Sequence, residues 1–510
     1  MNPLILPAIP MAFAFILPIL STIIKSRRFT FGYALLITGT TLVMGVELFR
    51  DVYSSELPLT YSFGGWKVPV GVIYEVDRFG AVMVLVTASL MFLTAVYSVR
   101  YLGREDGVEW FYTLYLGLEA GLLGIFMTGD AFNLFVMLEV TAIASYGLVM
   151  FYTEDGYPAY SGLRYAIISS IGTTLYFLAL VLIYRGLGTV NFADISAKLQ
   201  GIGFPISTPL NSTVPILAIS MALITWAFTI KAAIMPNHFW LPGAHSAAPS
   251  PVSAVLSGLV VNAGIYGFMR FLSLTYVPEV SHIGDIMCTL LLILGAVSAL
   301  LSSIAMTVQD DVKRIVAYST ILNMGYLAMA VGVNSEAGTA GAVFHMINHA
   351  IAKALLFLAV GVFIHTAGSR KLNELKGLGK SMPFTTVSLA IATMSLVGLP
   401  PTNVFFSKLL LYRAYVEKSP VLVAVLLLSS LFALVSYMRM LYWLWIKKPD
   451  GDGEVHESRS MVAVLVTLAL ACLVLGVLSP ILVDRVVNPA VAQLKDVEGY
   501  IRAALIAGVK

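Results

Sequence analysis

"ITWAFTIKAAIMPNHFWLPGAH", residues 224–245, is apolar enough to lie in a bilayer, yet it holds two prolines and a lysine. Proline has no amide hydrogen and its ring clashes with the preceding turn, so a helix must break or kink at Pro236 and Pro242. In lipid, the carbonyls freed by such a break are tolerated only where protein buries them or water reaches them. The same combination returns in "MSLVGLPPTNVFFSKLLLY", residues 394–412, where Pro400 and Pro401 precede Lys408. Two interrupted helices, each with an internal lysine, set the reading of the rest of the chain.

Of 510 residues, 58% are hydrophobic and only 12% are charged, with a mean hydropathy of +0.88. A soluble chain of this length needs far more charged surface, so the composition indicates a polytopic membrane protein and excludes a soluble catalytic domain. A spanning helix takes about 20 mainly apolar residues. Fourteen such segments follow one another at 3–24, 30–49, 78–99, 109–128, 131–152, 161–185, 213–241, 250–275, 283–308, 311–333, 338–366, 383–416, 420–446 and 460–483. The first has no basic leader or small-residue cleavage site and reads as a retained helix. Cys288 and Cys472 match no metal or redox spacing, so no cofactor is expected in this chain.

The interrupted segments are the seventh and the twelfth. Five is an odd offset, so equivalent helices in two such units cross the membrane in opposite directions, the pattern of an inverted repeat. The expected fold is therefore all-α, with about fourteen spans and two inverted five-helix repeats, segments 4–8 and 9–13. It divides into three N-terminal helices (1–108), a first repeat (109–276), a second repeat (283–447) and a C-terminal helix and tail (459–510). Lys25, Arg27, Arg28, Arg100, Arg104, Lys313, Arg314, Arg370, Lys371, Lys376, Lys380, Lys447, Lys448 and Arg459 all follow odd-numbered segments. The positive-inside rule puts those loops in the cytoplasm and both termini outside.

Ionisable groups at bilayer depth mark the candidate site, because each costs about 2.5–3.5 kcal/mol on insertion scales. They are Glu139 in segment 5, Lys231 in segment 7, His345, His349 and Lys353 in segment 11, and Lys408 in segment 12. In "FHMINHAIAKALLFL", residues 344–358, the two histidines and the lysine recur every four residues. That spacing keeps them near one helix face over roughly 12 Å of axis. Histidine exchanges protons near neutrality with little tuning, so the row reads as a proton path. Other readings stand beside it: Glu139 and Lys231 as a structural ion pair, or His345 and His349 as metal ligands, although no Glu follows His345 in H-E-x-x-H fashion. His238 and His245 either support the path or cap backbone freed by the break. Arg164 either snorkels or neutralises Glu139, and Glu119 is a weaker member of the network. Asp310, Asp311, Lys313 and Arg314 read mainly as interfacial anchors, with Asp311 also a supporting member of the path. A metabolite carrier would gather polar and aromatic groups into one pocket, and a membrane anchor would not need buried charges.

"FHMINHAIAKALLFLA", "KAAIMPNHFWLPGAHSAAPSPVSAVLSG", "DDVKRIVAYSTILNMGYL" and "FFSK" resemble the proton-conducting, antiporter-like membrane subunits of respiratory complex I, Mrp-type sodium/proton antiporters and membrane-bound [NiFe] hydrogenases. The resemblance runs from about residue 75 to 445 and implies fourteen helices, two inverted repeats and broken helices 7 and 12. By motif it implies that Glu139, Lys231, His349, Lys353 and Lys408 carry protons. The chain departs from the pattern at Asn262, where many relatives have lysine, and at Ser257, where others have histidine. "TGDAFNLFVMLEVTAIASYGL", residues 128–148, is most similar to the Mrp D-type branch, which also supplies the corresponding subunit of archaeal membrane-bound hydrogenases. The resemblance thus implies a multi-subunit assembly in a prokaryotic plasma membrane. Its other membrane subunits and a peripheral redox module would hold nickel–iron and iron–sulfur centres, with H⁺, Na⁺ or both as the ions moved. A stand-alone Mrp antiporter and a complex I-like dehydrogenase are the alternatives.

Single cysteines introduced at Arg28, Lys371 and Lys448 should react with an impermeant thiol reagent only from the cytoplasmic side. Reaction of position 371 from outside would overturn the orientation.

Overall fold

The structure is a computed structural model and describes residues 2–152, 156–201, 210–275, 281–448 and 457–507. The expected boundary at 276 and the terminal residues 508–510 lie outside the described residues. Six helices come first: α1 (Ile5–Ile24), α2 (Arg27–Ser54), α3 (Arg78–Tyr101), α4 (Val108–Met127), α5 (Ala131–Val149) and α6 (Gly156–Leu187). Helix α7 is divided into Leu210–Lys231 and Leu241–Ala247. Then follow α8 (Ser250–Thr275), α9 (Ser281–Thr307), α10 (Val312–Gly332) and α11 (Glu336–Ala367). Helix α12 is divided into Pro383–Val397 and Asn403–Lys418, and α13 (Pro420–Ile446) and α14 (Arg459–Val477) close the series. Among the described residues thirteen helices are long and apolar enough to cross a membrane, and the divided α12 accounts for the fourteenth apolar segment.

Helix starts are set by side-chain caps. Asp77, Asp130 and Ser335 each accept a hydrogen bond from the backbone three residues on, at 2.8, 2.8 and 3.0 Å, which satisfies amides that the first turn leaves free. Small residues let neighbouring helices approach. On α4, Gly117, Gly121 and Gly124 face α5, and a Cβ at Gly121 would collide with Thr141 Oγ1. Helices α8 and α10 are buried almost throughout, whereas α2, α6, α9 and α13 turn large apolar side chains outward.

At the end of the molecule opposite the basic loops, a hairpin of β1 (Leu59–Ser62) and β2 (Ile73–Val76) lies beside the C-terminal tail. A buried ion pair fixes this end. Arg270 of α8 donates from Nη1 and Nη2 to the two carboxylate oxygens of Asp77, at 2.7 and 2.9 Å, and from Nη2 to Tyr266 Oη at 2.7 Å. Tyr500 of the tail places its ring 5.6 Å from the guanidinium, and Gln493 accepts from Arg78 N at 2.7 Å. Glu75, next to this pair, is buried with both oxygens unpartnered. Burial holds its carboxyl well above the usual carboxylate range, against the pull of Arg270.

Thermal unfolding should separate these two acids. Asp77→Asn leaves a buried guanidinium unpaired and should cost about 3–5 kcal/mol. Glu75 remains protonated in the folded chain while the unfolded chain ionises above about pH 4.3, so its cost to stability grows as pH rises past that value. Glu75→Gln should therefore raise the melting temperature at alkaline pH and leave it unchanged in acid.

Candidate functional site

The two breaks are closed by specific groups. At α7 the chain leaves the helix after Lys231 and turns at Ala233, whose φ is +52°. Trp240 Nε1 donates to the Ile230 carbonyl at 3.0 Å, which also accepts from Ala233 N at 3.1 Å, and Met235 N donates to Ser298 Oγ of α9 at 2.8 Å. At α12 the turn is Gly398, with φ +89°. Lys408 Nζ donates to the Val397 carbonyl at 2.9 Å, and the side chains of Asn348 and Asn403 tie the break to α11. Pro236, Pro400 and Pro401 all lie in the gaps between helical pieces. Capping at α7 is thus shared by Trp240 and Ser298, with the His238 ring bonded to the Pro236 backbone inside the break. His245 is fully buried with neither ring nitrogen partnered, so for it the capping reading is corrected. His238 is half-buried and its Nδ1 is unpartnered.

From α8 to α12 the candidate residues form a nearly continuous series. Ser257 shares a hydrogen bond of 2.7 Å with Thr320 of α10. Beside Thr320, Ser319 Oγ and the Val316 carbonyl, the latter at 3.0 Å, accept from Lys353 Nζ. One turn back on α11 is His349, fully buried with both ring nitrogens free of protein partners. Its ring lies 6.1 Å from that of His345. His345 bonds through Nδ1 to Ser407 at 3.0 Å and through Nε2 to Asn323 Oδ1 at 3.1 Å. Next to Ser407, Lys408 donates to Ser430 Oγ at 3.0 Å and sits 5.0 Å from the Tyr326 ring. Lysine, hydroxyl and imidazole alternate, and at His349 no hydrogen bond to a described residue joins the ring to its neighbours.

The first half is shorter. Lys231 donates to Ser169 Oγ of α6 at 2.7 Å. Glu139 is half-buried with Oε1 unpartnered, and its charge acts on Lys231. Among the described residues no ion pair of 4 Å or less joins the two, so the structural ion-pair reading is not met. Arg164 is exposed and acts on His238; it does not pair with Glu139. Asn262 donates to the Gly258 and Met346 carbonyls at 2.8 and 3.2 Å and leaves its own oxygen unpartnered. Ser257 lies in, and Asn262 just beyond, a π-helical turn, Leu256–Val260, a distortion that often marks functional sites. Among the described residues no side-chain hydrogen bond runs from Lys231 to Asn262.

The basic-loop end holds a correction. Lys313 is 3% exposed, and its Nζ donates to the Ala248 carbonyl at 2.5 Å, so it is no interfacial anchor. Asp310 and Arg314 are exposed, as anchors should be. Asp311 caps α10, accepting from Lys313 N and Arg314 N, and lies 3.6 Å from Arg370 Nε. It lines a cleft of about 780 Å³ with Arg314, Arg370 and Arg439. The charges of Lys313 and Lys353 both act on His245, whose ring stacks on Phe357 at 4.9 Å. His245 thus stands between the cleft and the α11 row. Among the described residues no group of three His, Cys, Asp or Glu is placed to hold a metal. The sequence reading also passed over Ser319, Asn323 and Tyr326. Their spacing of four and three residues along α10 was the available sign of a polar stripe.

Residues 128–433 match the family described as NADH:quinone oxidoreductase/Mrp antiporter, TM. The D-type subunit of a Na⁺/H⁺ antiporter from Alkalihalophilus pseudofirmus is 29% identical over 453 residues, 88% of each chain. The N-type subunit of NADH-quinone oxidoreductase from Desulforudis audaxviator is 30% identical over 486 residues, 91% of this chain and 94% of that one. Among solved structures, a chain of the membrane-bound sulfane sulfur reductase, an archaeal respiratory membrane complex, matches with a TM-score of 0.91. It is 31% identical, with 99% of both chains covered. A chain of the Mrp complex from Dietzia sp. DQ12-45-1b shares the fold at a TM-score of 0.86 and 23% identity, covering 98% of this chain and 99% of its own.

Lys353→Met keeps the apolar stem and removes the charge that bonds to α10. Assembly should survive while ion flux across the membrane falls sharply. Unchanged flux in a fully assembled variant would leave Lys353 a structural tie between α10 and α11.

Proposed function

The chain belongs to the NADH:quinone oxidoreductase/Mrp antiporter family, and on that premise we propose that it moves protons across the membrane as one subunit of a redox-driven assembly. The observation that carries this reading is the buried series from Ser257 to Lys408, in which His349 offers two unpartnered nitrogens between Lys353 and His345. A purely structural network would satisfy those nitrogens; a relay leaves them free to receive and pass a proton. The cleft at Asp311, then Lys313 and His245, supplies the approach from the basic-loop side, which the charge distribution makes cytoplasmic. Lys231, with Glu139 near it, serves the first half, and Ser257 and Asn262 with intervening water serve the link between halves.

Matching breaks in α7 and α12, with α4 lying along α5 as α9 lies along α10, support the inverted-repeat reading of helices 4–8 and 9–13. The likeness to a chain of a sulfane sulfur reductase, a respiratory membrane complex, supports a redox-driven assembly; a hydrogenase-type module with nickel–iron and iron–sulfur centres is the form of it that the sequence resemblance implies. The 29% identical antiporter subunit supports a second reading, a D-type subunit exchanging Na⁺ for H⁺ without a redox partner. Subunits that purify with the chain decide between them.

Lys231 tests the proton-carrying role directly. Arginine preserves the charge but does not release its proton, so Lys231→Arg should assemble normally and lose most coupled transport. Wild-type transport in that variant would make Lys231 an electrostatic partner and remove it from the path.

A further inference from the structure

Glu119 lies halfway along α4, fully buried, and among the described residues neither of its carboxyl oxygens has a hydrogen-bond partner. It does not face the lysine–histidine series. The glycines that meet α5, Gly117 and Gly121, stand two residues to either side of it, and two residues correspond to about 200° around a helix. Glu119 therefore points away from α5 and from Glu139, toward α2 and α3.

The groups waiting there can accept but scarcely donate. Thr41 of α2 faces the carboxyl, yet its hydroxyl hydrogen is committed to the Ile37 carbonyl at 2.7 Å. Tyr115, one turn earlier on α4, is the ionisable group beside Glu119, and its hydroxyl donates to the Met91 carbonyl of α3 at 2.7 Å. Thr94 of α3 has an unpartnered hydroxyl, but it faces Tyr115, and Thr41 is the side chain at the carboxyl itself. Among the described residues no Lys, Arg or His of α1, α2, α3 or α5 pairs with Glu119. An ionised carboxylate in this place would have neither donors nor a counter-charge, a burden of many kcal/mol. A carboxylic acid instead brings the one hydrogen that the Thr41 lone pairs lack.

We propose that Glu119 is a separate proton-binding site, loaded as the neutral acid between α2, α3 and α4 and emptied during transport. Only the emptying rests on the ion-translocation reading above; the loading does not. A polar side chain kept merely for packing would have no reason to be an acid, since Gln fills the same space and supplies its own donors.

The test uses the full-length protein in its native membrane assembly. Dicyclohexylcarbodiimide, a lipid-soluble reagent that adds to protonated carboxyls, is applied over a pH series, and modified peptides are mapped by mass spectrometry. Glu119 should be modified at neutral pH, the exposed Asp106 and the half-buried Glu109 should not, and the modification should fade in strong alkali. Transport by Glu119→Gln should then lose most of its rate and change its pH profile, and Glu119→Asp should recover part of both. No modification of Glu119 at any pH overturns the site. Protection by Na⁺ at constant pH overturns the proton as its ion in favour of sodium. A wild-type rate and pH profile in Glu119→Gln overturns the emptying step. Because labelling requires no turnover, an assembly that moves no ion would sink the function proposed above and leave the label to decide this site.

Discussion

A backbone carbonyl released at bilayer depth has no water to bond with, and the arrangement of this chain follows from how two sets of such carbonyls are satisfied. At α12 the ammonium of Lys408 closes the Val397 carbonyl while its neighbour Ser407 bonds to His345. The same side chain thus ends the helix and sits beside the buried histidine row. At α7 these duties are divided: the Trp240 indole closes the Ile230 carbonyl, and Lys231 is left to bond with Ser169. The two breaks look alike in sequence, but only the second binds its lysine into the helix end.

Buried polar groups in this protein come in two kinds, and the difference separates scaffold from path. The carboxylate of Asp77 is closed by two guanidinium hydrogens and its own helix cap. A closed network of that sort rigidifies a fold. His245 and His349 are equally buried, and among the described residues their ring nitrogens have no hydrogen-bond partner. Open lone pairs at that depth are expensive unless water or a moving proton uses them. Their placement, one against Phe357 of α11 and one between Lys353 and His345, puts the open groups where the closed ones stop.

The spans and their interruptions were legible in the sequence because apolar length and proline position are local properties. The α11 row was legible for the same reason, as a four-residue spacing survives into the helix unchanged. Lys313 was not: a lysine two residues into a helix has the same stem whether it reaches out to headgroups or back to the Ala248 carbonyl. Arg270 and Asp77 are 193 residues apart, and nothing local announces their bond. The capping role offered to His245 is not taken up: the Trp240 indole and the Ala233 amide bond the Ile230 carbonyl instead. Asn262 stood out as a departure from lysine, but its bonds to the Gly258 and Met346 carbonyls depend on how α8 meets α11.

Gly398 meets two demands at once. Its φ of +89° turns the chain out of the first piece of α12, and a Cβ there would come within 2.8 Å of Lys408 Cδ. Any other residue would strain the backbone and push against the lysine stem. The dependence between the two positions, ten residues apart, runs one way. A chain that lost the lysine would still need glycine for the turn, whereas the lysine stem can lie where it does only because position 398 carries no side chain. Glycine here is held by the backbone first and by the lysine second, with no need for either residue to touch the transported ion.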